Sequence, residues 1–335
     1  MAARYATGVD EIHFAATSDG WRLALHRHRP LGGRTRLPVL LCAGYGCNRH
    51  FLDYDEYYSL ARFLARRGFD AWVVELRGRG LSRPTAACPR PGSWTFDDLA
   101  TVDVPAAVAY VAGVTGRRVA WIGHSMGGMA LYAGLGTMPQ LVEQIVAGVT
   151  VASPVVFPPV SATLLGRIGH LLLDVPFSDT VPQRWVLGAL WHLVGRSRAL
   201  EVGMNPANID HHEVGRALRR SLSDVSRHKL RQLARWALDG EFTSADRRTD
   251  YRTALASVAT PMLVAAGSLD QLATPNAVRR VLDYLPAGAA SYVEFGREYG
   301  HRTDYGHVDI ILGRTAPEEV FPTIAHWLGQ HERTD

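Results

Sequence analysis

The chain has 335 residues, of which 47% are hydrophobic and 20% charged, with a formal net charge of +4. These values suit a packed globular protein and exclude a disordered or fibrous one. The length exceeds a common domain of about 100–200 residues, so one large α/β domain with an insertion, or two domains, is expected.

The basic surplus is unusual in kind, because Lys229 is the sole lysine among 36 basic residues. The arginines are dispersed; the densest runs are His26–Arg29, Arg216–Arg231 and Arg247–Arg252. A nucleic-acid site needs positive charge clustered on one face, so these runs read as solvated surface and no nucleic-acid partner is expected. The three cysteines, Cys42, Cys47 and Cys88, lack CxxC spacing. That excludes a disulfide framework or zinc ribbon and is compatible with a reducing compartment. Met1–Trp21 has no apolar stretch of the signal-peptide type. The most apolar stretch, Ile145–Val160, is interrupted by prolines and too short to span a bilayer. A soluble, cytoplasmic protein is expected.

In chain order, strands are predicted at Glu11–Ala16 and Arg22–Arg27, joined by a turn at Ser18-Asp19-Gly20. Leu37–Ala43 and Ala71–Leu76 are apolar strands, separated by a helical pattern over Tyr54–Arg67 that Gly68 stops. A helix is predicted over Phe96–Val111, a strand over Arg118–Ile122, a helix over Met126–Thr137 and a strand over Ile145–Ala152. From about Pro154 to Asp250 no convincing strand is seen. That stretch holds apolar helical pieces, Leu164–Leu173 and Trp185–Val194, and a basic amphipathic one near Val214–Leu238. The β/α rhythm resumes with strands at Pro261–Gly267 and Ser291–Gly296 and helices at Ala277–Leu285 and Glu318–Leu328. Continuously apolar strands alternating with helices predict an α/β fold with a mostly parallel sheet covered on both faces. The domains follow: a core of 1–153 and 251–335, and a helical insertion of 154–250.

The strongest local signal is Gly123-His124-Ser125-Met126-Gly127. GxSxG is weak alone, but here it lies between a predicted strand and a predicted helix. Such a turn presents Ser125 Oγ at the carboxyl edge of the sheet and at a helix N-terminus, where an anionic intermediate is favoured. A serine nucleophile needs a base, and the base an orienting acid. Asp270 lies just past one apolar strand. His307 lies past the next, where the loop turns back onto the domain. His301 and Asp304 are the lesser rivals. The order Ser, Asp, His differs from that of the chymotrypsin and subtilisin types.

With Leu40–Gly46, Arg77–Ser82, Gly267–Asp270 and Gly306–Asp309 in the same order, the chain resembles α/β-hydrolase-fold serine hydrolases. The resemblance runs over nearly its whole length. The closest likeness is to the lipase/esterase branch that includes gastric and lysosomal acid lipases. It implies a Ser125-Asp270-His307 triad and an oxyanion hole made by the backbone N–H groups of Met126 and Tyr45. The family's His-Gly pair before the second donor is replaced here by Ala43-Gly44. It also implies a cap formed by 154–250, whose leucines and tryptophans (Leu164, Leu165, Trp185 and Trp191 among them) pack onto the main domain or, in part, line a hydrophobic acyl site or touch a lipid interface. The expected reaction is hydrolysis of a small, hydrophobic carboxylic ester without cofactor or metal. Acyl transfer, thioester or amide cleavage, and cyclisation use the same triad; a ligand-binding protein or a lyase on this scaffold is a more distant reading.

The other features read as structural: Arg77–Ser82 as an edge loop, and Asp97, Asp98 and Asp103 as a helix start and solvated face. His211-His212 reads as an exposed pair. Gly44-Tyr45-Gly46 lacks the Lys-Ser/Thr of a phosphate loop.

Overall fold

The computed structural model describes residues 8–32, 35–157, 179–184 and 202–332. The chain opens with β1 (Glu11–Ala16) and β2 (Trp21–His28), an antiparallel pair registered from Glu11 opposite Arg27 to Ala16 opposite Arg22. Gly20, with φ of +88°, closes the turn between them. β3 (Pro38–Cys42) and β4 (Asp70–Glu75) follow, then the two-residue β5 (Arg83–Pro84), which pairs with β2. β6 (Val119–His124) and β7 (Ile145–Val151) complete the first half. The inserted segment contributes β8 (Thr180–Val181) and β9 (Val225–Ser226), and β10 (Met262–Gly267) and β11 (Ala290–Phe295) return to the main sheet.

The main sheet runs β1-β2-β4-β3-β6-β7-β10-β11. β2 is antiparallel to both β1 and β4, and every later pair is parallel. Strands β3, β4, β6, β7 and β10 are buried along their whole length. This explains why they read as unbroken apolar runs, since a parallel sheet is covered on both faces.

Helices cover the faces. α1 (Leu60–Arg66) starts six residues later than Tyr54, because Ser59 caps it, its Oγ accepting from the Arg62 N–H at 3.0 Å. α2 (Phe96–Thr115) contains a π turn over Leu99–Asp103 and ends at Gly116, whose φ is +67°. It is apolar and long enough to cross a membrane, yet Val104, Ala107, Val108 and Val111 are buried in this fold. α3 (Met126–Thr137) and α4 (Pro139–Gln144) lead into β7. The remaining α-helices among the described residues are α5 (His211–Ser221), α6 (Arg227–Asp239), α7 (Pro275–Arg279), α8 (Asp309–Leu312) and α9 (Ala316–Gln330).

The inserted segment differs from the expectation in two respects. It holds a strand pair, β8 with β9, and β9 splits the expected Val214–Leu238 helix into α5 and α6. The apolar pieces Leu164–Leu173 and Trp185–Val194 lie outside the described residues.

Three surface readings are also corrected. Arg77–Ser82 follows β4, an interior strand, not a sheet edge. Asp103 is fully buried, and its carboxylate takes Arg77 Nε at 2.9 Å and the Arg77 N–H at 2.8 Å. Lys229, within a run read as solvated, is 2% exposed, because α6 turns that side inward.

Candidate active site

Ser125 stands between β6 and α3 with φ of +52°, a left-handed conformation rare for a residue with a side chain. The glycines around it are steric necessities. A Cβ on Gly123 would lie 2.3 Å from Gly128 N, and one on Gly127 2.3 Å from the Cys42 carbonyl oxygen. The Ser125 N–H donates to Val151 O at 2.8 Å, fixing the turn against β7.

The sequence-predicted partners converge on this serine. His307 Nε2 lies 2.9 Å from Ser125 Oγ, and His307 Nδ1 lies 2.7 Å from Asp270 Oδ2. The arrangement fits an imidazole that donates through Nδ1–H and accepts the Ser125 hydroxyl proton at Nε2. Asp270 is 2% exposed, and its other oxygen accepts from the N–H groups of Leu272 and Ala273, both at 2.8 Å. With both oxygens bonded, its orientation is set. The rivals lie elsewhere: His301 shares its Nδ1 with the Gly296 backbone, and Asp304 accepts from Ser268 Oγ at 2.9 Å and the Arg297 N–H at 3.0 Å.

The N–H groups of Tyr45 and Met126 have no acceptor among the described residues. The loop carrying Tyr45 abuts the serine, since a Cβ on Gly44 would come 3.0 Å from Ser125 Cβ. Buried Arg79 holds this loop, donating from Nη1 to Ala43 O at 2.9 Å and Cys47 O at 3.3 Å. The inserted segment holds it from the other side: Asn48 N–H donates to Ser221 O at 2.7 Å, and Ser223 N–H donates to Gly46 O at 2.8 Å. The missing His-Gly pair is therefore replaced by other supports.

Three residues support the site: Arg79 and His124, which the sequence does not single out, and Asp309, expected from the sequence as a structural neighbour of His307. Arg79 is the first. The second is His124, whose Nε2–H donates to the His307 carbonyl at 2.8 Å and whose ring packs on Phe51 and His307. Burial, and then the neighbouring His307, hold its pKa well below the ordinary histidine value, so it stays neutral. The third is Asp309, which accepts from the N–H groups of Gly306 and Asn205 and from Asn208 Nδ2, at 3.0, 2.9 and 2.9 Å. It ties the loop before His307 to the inserted segment. Burial pushes its carboxyl up to about 6 despite those donors. The GxSxG spacing draws the eye to Ser125 and leaves His124 as filler, although a polar residue ending a buried strand is itself a signal.

Glu75 organises the turn beneath Arg79. Its carboxylate accepts from the Leu81 N–H at 2.6 Å and the Arg49 N–H at 3.2 Å and faces His26 Nε2 at 3.1 Å. A side chain on Gly80 (φ +45°) would collide with it. Burial alone would raise the Glu75 carboxyl, but His26 and these two amides hold it at about 2.

A serine, an imidazole and a carboxylate in line, beside two unengaged amides at the edge of a parallel sheet, define a class of protein. Residues 39–321 match the family described as the alpha/beta hydrolase family. The chain belongs to that family. Within it, the likeness runs to lipases. Human lipase member N is 22% identical over 94% of this chain and 86% of its own length. Triacylglycerol lipase 1 of Arabidopsis thaliana is 24% identical over 92% and 84%. Among solved structures, the fold is shared with a malate-bound esterase of Thermogutta terrifontis (TM-score 0.62, 17% identity, 96% of this chain and 99% of that one). It is shared too with a monoacylglycerol lipase of Paleococcus ferrophilus (TM-score 0.56, 17% identity, 92% and 99%).

Proposed function

We propose that the protein hydrolyses carboxylic esters through an acyl-enzyme on Ser125. The observation that carries this reading is the continuous relay from Ser125 Oγ to His307 at 2.9 Å and on to Asp270 at 2.7 Å. The lipase names of its relatives support an ester as the substrate. His307 takes the Ser125 proton as Oγ attacks the ester carbonyl, and Asp270 stabilises the imidazolium that forms. The oxyanion receives hydrogen bonds from the N–H groups of Met126 and Tyr45. Each such donor contributes about 3–4 kcal/mol in comparable sites. His307 then protonates the leaving alcohol, and water, deprotonated by the same imidazole, frees the acyl group.

Residues 154–250 act as the cap of this site in our reading, supported by their backbone bonds to the loop of Gly46 and Asn48. Their apolar composition favours a hydrophobic acyl chain. The cysteines Cys42, Cys47 and Cys88 are free, which supports a cytoplasmic location.

Ser125→Ala is expected to lower kcat on short p-nitrophenyl esters by about four to six orders of magnitude. Wild-type turnover by that variant contradicts the mechanism. Product analysis with alcohol or amine acceptors separates hydrolysis from acyl transfer.

A further inference from the structure

Among the described residues, several buried carboxylates are paired with arginines. Asp53 faces Arg49 and Arg62, Asp70 faces Arg27, and Asp103 faces Arg77. Two buried cations among the described residues lack such a partner, and both lie against the loop that carries Tyr45. Arg79 is 1% exposed and has no carboxylate within 4.0 Å among the described residues. Its guanidinium reaches only carbonyls and the Met126 sulfur, and its Nε is buried without an acceptor among the described residues. Lys229 is 2% exposed, and its Nζ stands 4.9 Å over the Tyr45 ring. That amine has neither a hydrogen bond nor an ion pair among the described residues. Burial, then the charge of Arg79, lowers the Lys229 pKa well below the ordinary lysine value.

Fully buried lysines are rare unless paired, and an apolar side chain of equal volume would pack there at lower cost. The Tyr45 ring gives only a cation–π contact, which weakens further as the amine loses its proton. A positive site with no counter-charge among the described residues, against the loop whose Gly44 abuts Ser125, is complementary to an anion brought by the substrate. Arrival of that anion restores the ammonium and converts the cost of burial into binding.

We propose that Lys229 is the contacting group of an anion subsite beside the oxyanion loop, with Arg79 as a second positive charge behind the loop. The ligand is the free carboxylate of a monoester of a dicarboxylic acid. This rests on the ester-hydrolase reading and sharpens it: the chain between the two carbonyl carbons is apolar, as the cap composition favours, and its far end is charged.

The test compares kcat/KM for monoethyl adipate and monoethyl suberate with ethyl hexanoate and ethyl octanoate, followed by pH-stat. Wild type and Lys229→Met are measured, each with its reactive serine counted by a phosphonate. Lys229→Gln stands in if Lys229→Met does not titrate. Wild type is expected to favour the carboxylated ester of each pair, and the variant to lower that ratio about 10- to 100-fold, the range of one hydrogen bond to a charged group. The melting temperature of the variant is expected to be equal or higher, because an uncompensated buried amine is removed. No preference in wild type, or a ratio unchanged in the variant, overturns the subsite while leaving the hydrolase reading intact. Neutral esters cleaved without dependence on Ser125 overturn the reading beneath it.

Discussion

Ser125, His307 and Asp270 stand in line, and each is held by something other than the next. Ser125 is fixed by a left-handed turn that only its glycine neighbours make possible. Asp270 is fixed by two amides, and His307 by the His124 bond to its carbonyl. Asp270→Asn keeps the shape but favours the wrong imidazole tautomer, so kcat is expected to fall about 10⁴-fold with little change in melting temperature. A loss below tenfold in the same assay assigns the orienting role to another group. Gly44→Ala tests the crowding: a Cβ there comes 2.9 Å from His124 Nδ1, so kcat is expected to fall while the acid-base residues are untouched. Ser125, Asp270 and His307 were legible in the sequence because each lies just past a predicted strand. His124 and Arg79 were not, because each is placed by a contact to a distant backbone carbonyl, of His307 and of Ala43, that no motif announces. No local spacing encodes such a contact.

At the scale of elements, β4 and the turn after it matter as much as β6. Glu75 shapes the turn, the turn places Arg79, and Arg79 holds the carbonyls on either side of Tyr45. Arg79→Leu is expected to free that loop and lower kcat about 10²- to 10³-fold, the cost of one oxyanion donor. Steady-state kinetics with the phosphonate-counted enzyme checks this, and an unchanged kcat shows that the loop holds its shape without the arginine. The strand pattern was legible because buried parallel strands read as continuous apolar runs. The start of α1 was not, because Tyr54 and Tyr58 are buried beside a bridge between Asp53 and Ser59 and mimic helical periodicity. The split of α5 from α6 by β9 was hidden by an amphipathic pattern that runs on both sides of it.

At the scale of the whole molecule, the net charge of +4 understates how charges are distributed, since several ion pairs are buried. Glu75 is held at about 2, and Asp53 is also lowered, its burial outweighed by His28, Arg49 and Arg62. A depressed carboxyl stabilises the fold above its unfolded value of about 4, and that stability is lost as pH falls toward the folded value. Asp309, raised to about 6, acts with the opposite sign: its contribution is present at low pH and is lost as pH rises through about 6. Urea unfolding is therefore expected to show one loss of stability as pH falls below about 4, from Glu75 and Asp53, and an opposite loss as pH rises from about 4 to 6, from Asp309. Glu75→Gln is expected to flatten the limb below about pH 4 and Asp309→Asn the one between about pH 4 and 6. A profile unmoved by either substitution contradicts these assignments. The most direct test of the account is titration with a p-nitrophenyl alkylphosphonate, counting p-nitrophenolate released and mapping the labelled peptide. One equivalent is expected, carried on Ser125, with esterase activity falling in proportion to labelling. Full activity in the labelled protein, or a label on another residue, contradicts it.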